Sequence, residues 1–266
     1  MPSQKLENYL STGILEFPGN GIPPELWAAI GPIADLQQSN GIVEPVCEIG
    51  VHHGRFIIGL MLIKESPRKN LAIDVFELQQ FNMDRSGNGN YEIFMQNVAK
   101  HYGHADRIGT IKGDSIALSH VDVVKIREEY GKFSMFSIDG CHTAEHTYND
   151  LLIAADLTCH GGVILIDDYY NATFPGVQEA VCQYFFGQKS KFAPICFVGG
   201  KLLLTDASHH KIYFDELRTK FRNSSMETRA VRAKRFGWDT LTISRDVRGK
   251  IRARRDRELS GAVGVE

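Results

Sequence analysis

Two short segments end in side chains that could manage a cation and a proton. One reads Phe133-Ser-Met-Phe-Ser-Ile-Asp139-Gly140-Cys141-His142 and the other Gly161-Gly162-Val-Ile-Leu-Ile-Asp167-Asp168-Tyr169. In both, an apolar run with the look of a buried strand finishes in carboxylate. If the two strands are neighbours in one sheet, Asp139, Asp167 and Asp168 converge at one edge, where they repel unless some are protonated or a cation joins them. A divalent metal ion is the natural resident, and an all-oxygen set with room for water favours Mg2+, or another hard divalent cation, over zinc. His142 lies three residues past Asp139, in a loop that opens the next helix, so its imidazole can project over the same crevice and take a proton at neutral pH. The plainer readings are helix caps for the acids and a surface position for the histidine; the agreement of spacing with strand-edge location favours chemistry. The other histidines show no metal-ligand spacing.

A second constellation is Cys47-Glu48-Ile49-Gly50-Val51-His52-His53-Gly54-Arg55-Phe56. Gly50 permits a tight turn against a ligand, and Gly54 lets the following helix start close to the sheet. A dinucleotide loop would read G-x-G-x-x-G, but His52 stands where its central glycine belongs, so a pyrophosphate would meet a side chain instead of bare backbone. A loop of the form E-x-G-x-x-x-G suits a ligand without phosphates and with a cationic amino end, and S-adenosylmethionine is the candidate. Asp74 follows about twenty residues later, where an acid can hold a ribose diol. Gly113-Asp114-Ser115 makes a polar turn at the end of the next strand. Helix capping is the alternative for Asp74 and Asp114; three acidic strand ends in succession favour a shared site.

The elements that must position these residues follow from the apolar pattern. Strands are expected near 44–49, 70–75, 108–112, 134–139 and 162–167, with helices near 55–65, 91–102, 116–130, 143–158 and 175–186 between them. Such alternation predicts a doubly wound, Rossmann-like α/β domain with a mostly parallel sheet covered on both faces. Phe192 to Val198, then Gly199-Gly200, then Lys201 to Thr205 reads as a terminal antiparallel hairpin. Seven strands are expected in all. Three regions follow: a helical cap over 1–40 entered at Pro23-Pro24, the ligand-binding domain over 41–222, and a basic extension over 223–266. Its apolar clusters near Phe236-Trp238 and Leu241-Ile243 are weak, and its last twenty residues are expected to be flexible or docked on a partner.

Together these features resemble the class I S-adenosylmethionine-dependent methyltransferases, over roughly residues 40–205. More narrowly, the chain resembles the metal-dependent O-methyltransferases of sugars and other natural-product hydroxyls, macrolide-sugar and cephalosporin-biosynthesis enzymes among them. The resemblance implies that Glu48, Gly50, Gly54, Asp74, Asp114, Ser115 and Asp139 bind the cofactor. It implies that Asp139, Asp167 and Asp168 hold the metal and that His142 is the general base. Some relatives place a second Asp where Cys141 stands here, which puts the base role on His142. The acceptor would be a small molecule or sugar. Segment 76–91, with Asp84-Arg-Ser-Gly87-Asn-Gly89, has no counterpart with a known role, and a loop that long beside a crevice suggests a lid.

Composition narrows the field. The 266 residues carry 30 Lys+Arg and 32 Asp+Glu, and 43% are hydrophobic, an ordinary globular balance that excludes disordered and fibrous classes. The near-neutral sum hides a split: residues 218–266 are net +8 and the remainder net −10. No apolar stretch approaches the ~20 residues of a membrane helix. The beginning of the sequence lacks the basic-then-apolar pattern of a secretory signal, and five cysteines without a CxxC pair fit reduced thiols in a cytoplasm. The competing functions are a nucleic-acid methyltransferase using the basic tail and a non-catalytic binding protein that kept the fold. The first is disfavoured because Asp-Gly-Cys-His replaces the Asn-Pro-Pro-Tyr-like segment of base-modifying enzymes, the second by the intact carboxylate set. A homo-oligomer is compatible with the sequence.

Overall fold

The computed structural model describes residues 4–19, 21–187, 190–222 and 228–245. Five strands, β1 (Val46–Ile49), β2 (Asn70–Asp74), β3 (Ile108–Lys112), β4 (Phe133–Ile138) and β5 (Thr158–Ile166), pair in parallel in the order β3-β2-β1-β4-β5. Reversal of that order beside β1 opens the crevice at which such folds bind ligands. Next to β5 lies β7 (Lys201–Asp206), antiparallel to it, and then β6 (Phe192–Val198), antiparallel to β7. The hairpin between them turns on Gly199 and Gly200, at φ +57° and +89°, a conformation that glycine adopts without a Cβ penalty.

Among the described residues the sheet has nine strands, not the expected seven. β8 (Thr228–Arg235) and β9 (Trp238–Arg245) form a second hairpin, and β9 continues the sheet in parallel with β6. The strand pairing thus runs on past residue 222, the expected end of the ligand-binding domain. β8 is an edge strand whose Arg229, Arg232 and Lys234 are exposed, so its sequence carries charge where a buried strand would carry apolar residues. The cluster Leu241-Ile243 belongs to β9 and is buried under the sheet. Phe236 and Gly237, both at positive φ, make the connecting turn. The expected behaviour of the last twenty residues lies outside the described part of the chain.

Alternating strand residues serve two cores. On one side Val46, Met135, Val163, Leu165 and Leu203 meet helices α2 (Pro24–Ser39), α3 (Arg55–Ile63) and α8 (His210–Arg222); around His209-His210 the sequence reading expects only a polar connection. On the other side Cys47, Phe136, Ile164, Ile166 and Leu204 meet α5 (His120–Tyr130), α6 (Ala144–Leu157) and α7 (Pro175–Gly187). Burial of both sheet faces explains why these strands read as continuous apolar runs. α1 (Gln4–Ser11) and α2 lie on the first side; α2 starts at Pro24, and its Trp27 ring packs where a side chain at Gly59 of α3 would stand. α4 (Tyr91–Asn97) passes into a π-helical turn over Val98–Tyr102, so the expected helix 91–102 is two pieces. All five cysteines are free thiols. Among the described residues no helix is long and apolar enough to cross a membrane.

Candidate active site

The chain leaves β1 through Gly50, at φ +84°, and a Cβ there would stand 1.9 Å from the carbonyl oxygen of Asp139. The loops after β1 and β4 therefore lie backbone against backbone, an approach only glycine allows. His52 follows at φ +52°, its backbone N–H donating to Asp74 Oδ2 at 2.7 Å, while Phe76 N–H donates to Asp74 Oδ1 at 2.5 Å. Asp74 thus braces two loops. Burial raises its pKa, against these hydrogen bonds that favour the charged form.

Above these loops is a cavity of about 250 Å³ lined by Gly50, Asp74, Asp114, Ser115 and Asp139. Five of the seven expected cofactor residues are therefore gathered around one space. Segment 76–91 supplies its far wall through Gln79, Phe81, Asn82, Ser86, Gly87 and Gly89. The other two stand elsewhere. Gly54, at φ +92°, starts α3, where a side chain would meet the Phe94 ring. Glu48 lines a neighbouring cavity of about 410 Å³, with Asp167, Asp168, Lys201, Arg55, Phe17, Ile22, Pro23 and Leu26 around it. The two cavities share Gly50, His52 and Asp139.

The acids at the ends of β4 and β5 have an unforeseen companion. Lys201 Nζ, at the start of β7, lies 2.7 Å from Asp167 Oδ2 and 3.3 Å from Asp139 Oδ2, and 4.5 Å from the centroid of the Phe56 ring. Burial alone would lower its pKa; the surrounding carboxylates raise it above the ordinary lysine value. Burial and the charge of Asp167 push Asp139 well up, while Asp167, despite burial, is held down by the ammonium. Glu48 is 1% exposed, accepts a hydrogen bond from Ser137 Oγ at 2.9 Å, and is pushed up by burial to about 7. A lysine heading an apolar strand reads in sequence as a solvated strand end. Insertion of β7 between β5 and β6 is what buries it.

His142 is clamped on three sides. Asp84 Oδ2, from segment 76–91, is 2.6 Å from its Nδ1 and also accepts its backbone N–H at 2.7 Å. Phe174 stacks on the ring at 3.9 Å between centroids and 13° between planes. Nε2 faces Asp168 Oδ2 at 3.2 Å and Asp139 Oδ1 at 3.9 Å. Burial would lower the imidazole pKa, but Asp168 and Asp84 more than reverse that and lift it to about 9. Asp84 had no readable signal beyond its place in a long polar loop, because the contact spans 58 residues of sequence.

Asp139, His142 and Asp168 offer one ligand atom each, all within 4.8 Å of one another. Nε2 of His142 is buried without a hydrogen-bond partner. The two carboxylates fit a hard divalent ion, with the imidazole Nε2 beside it. Asp167, the third expected ligand, has its oxygens engaged by Lys201 Nζ and by the backbone N–H of Asp168 at 2.9 Å. Asp168 itself is held at φ +53°, an uncommon conformation for a non-glycine residue and one that turns the chain sharply at the mouth of the site.

Residues 47–169 match the family model described as a methyltransferase domain. This segment contains the strand-end acids, both loops of the Gly50–Asp139 contact, and His142. The match covers a little under half of the chain, and over that segment the chain is similar to methyltransferase domains. Among solved structures it is similar to that of the O-methyltransferase NovP, with 15% identity over 66% of this chain and 77% of that one and a TM-score of 0.54. It is also similar to cofactor-bound Rv0187 from MTB, with 18% identity over 77% and 90% and a TM-score of 0.50. At such identities the likeness is one of fold. No curated protein sequence matches the chain.

Proposed function

We propose that this protein transfers the methyl group of S-adenosylmethionine to a hydroxyl oxygen of a small molecule or sugar. The observation that carries the reading is the pair of cavities meeting at Gly50 and Asp139 beside His142. The donor occupies the smaller cavity, its ribose at Asp74 and its base at Asp114-Ser115. The acceptor enters the larger one beside Phe17, Ile22, Pro23 and Leu26. Glu48 and Gly54 act one step back, Glu48 by holding Lys201 and Gly54 by setting α3 against Phe94.

The acceptor oxygen forms a bond to the methyl carbon as the carbon–sulfur bond breaks, its electron pair returning to the sulfonium. The hydroxyl proton passes to Nε2 of His142, which must be unprotonated to receive it, so with the imidazole lifted to about 9 transfer should rise with pH toward that value. Asp139 and Asp168 would hold a hard divalent cation, with Asp167 beside them; when bound, such a cation lowers the pKa of a hydroxyl and orients its oxygen. Alignment of the two reactants across the Gly50–Asp139 junction accounts for much of the expected rate, since transfer needs an in-line approach.

The test is transfer of labelled methyl from S-adenosylmethionine to pooled hydroxylated acceptors, sugars included. Transfer should require Mg2+ or a similar ion. It should be lost in His142→Ala and Asp168→Asn while S-adenosylhomocysteine still binds within about threefold of the parent. Full activity in both variants after exhaustive chelation would sink the mechanism.

A further inference from the structure

Asp84 sits on the segment that walls the donor cavity, yet its carboxylate serves the residue assigned to the acceptor proton. We propose that Asp84 is a positioning residue for His142, orienting the imidazole and tying it to the wall of the donor cavity; this rests on the methyl-transfer reading above.

The loop that carries Asp84 is internally braced. Ser86 donates to Asp84 Oδ1 through its backbone N–H at 2.9 Å and its hydroxyl at 2.7 Å, and Asn82 Nδ2 donates to the carbonyls of Ser86 and Gly87 at 2.8 and 3.1 Å. Arg85 takes φ +57° to close the turn. With Oδ1 committed to the loop, Oδ2 is free to accept both the backbone N–H and the ring Nδ1–H of His142. Such a double contact fixes the histidine's main chain and its ring together, which a contact to the ring alone would not do. A carboxylate on Nδ1 assigns the proton to that nitrogen in the neutral ring and leaves Nε2 as the lone-pair face. Nε2 is the atom aimed at the gap between Asp139 and Asp168. Phe174 prevents the ring from tilting out of this line.

The same loop reaches the donor. Asn82, Ser86 and Gly87 line the smaller cavity, two or three residues to either side of the carboxylate. A donor molecule that contacts this wall therefore contacts the element that sets the base, and a displaced wall leaves His142 with no partner on Nδ1.

Asp84→Asn, nearly isosteric, is the decisive variant. The amide can offer Nδ1 the wrong partner, so kcat should fall by about a hundredfold or more, while KM for both substrates and affinity for S-adenosylhomocysteine stay within about threefold. Asp84→Glu keeps the charge on a longer arm and should recover part of kcat. A proton-detected spectrum supplies a readout independent of turnover: the parent should show a far-downfield Nδ1–H resonance of His142, absent from His142→Gln and from Asp84→Asn and retained in Asp84→Glu. Unchanged kcat in Asp84→Asn at saturating donor, or persistence of that resonance, would overturn the proposal; so would loss of cofactor affinity without loss of kcat, which would make Asp84 a wall residue alone. If the parent transferred no methyl to any acceptor, the methyl-transfer reading would fail, and the resonance would still decide whether Asp84 orients His142.

Discussion

Replacing Lys201 by Met tests the electrostatics of the site most directly. The side chain is 4% exposed, and its ammonium touches Asp167 and Asp139, whose side chains are 24% and 29% exposed. Removing one partner of a buried ion pair costs about 3–5 kcal/mol, because the other charge is left uncompensated. The two acids keep some contact with water, so the lower end, about 3 kcal/mol, is the expected loss. For a chain of this size that corresponds to a fall in Tm of about 6 °C. The loss should depend on pH. Without the ammonium, burial and mutual repulsion raise the folded-state pKa values of both acids above their unfolded values. Such groups destabilise the fold as pH climbs from about 4 through the raised pKa values, so the deficit should be small near pH 5 and full by pH 8. Thermal melts of parent and variant at both pH values, in chelator, measure this. Addition of Mg2+ should return part of the loss in the variant, the cation taking the place that the ammonium vacates. A Tm change under about 2 °C, or an equal deficit at pH 5 and pH 8, would refute the reasoning.

Other perturbations probe the frame. Gly50→Ala would drive a Cβ into the Asp139 carbonyl and force a positive φ on alanine; titration calorimetry should show S-adenosylhomocysteine affinity reduced at least tenfold. Gly59→Ala gains up to about 1 kcal/mol of helix propensity but places its methyl 2.3 Å from the Trp27 ring, so denaturant unfolding should show a net loss of about 1–2 kcal/mol. Glu48, held near 7, contributes less stability as pH rises from its unfolded value through 7. Melts of Glu48→Gln should therefore fall less between pH 5 and pH 8 than those of the parent.

The parallel half of the sheet could be read from sequence because burial on both faces writes continuous apolar runs ending in Asp74, Asp139 and Asp167. The hairpin at Gly199-Gly200 could be read because its turn demands glycine. The β8–β9 pair could not: β8 lies at an edge and spends its side chains on solubility, and one of its two turn residues is Phe236, a residue rarely chosen for positive φ. At the site, residues adjacent to strand ends were legible because topology alone brings them together. Asp84 and Lys201 were not. Each acts across a long stretch of sequence, Asp84 from an irregular loop and Lys201 from a strand brought beside the acids by its long-range pairing with β5, and neither placement leaves a local pattern.

The seam at Gly50 has a further consequence for how such a protein can diversify. At Gly50, where the lining common to both cavities is main chain touching main chain, there is no side chain to vary: any enlargement there strikes the carbonyl of Asp139. The larger cavity is also lined by Phe17, Ile22, Pro23 and Leu26, which come from a segment that contributes no strand to the sheet. On the methyl-transfer reading proposed above, acceptor range can drift through those side chains while the backbone seam at Gly50 stays fixed.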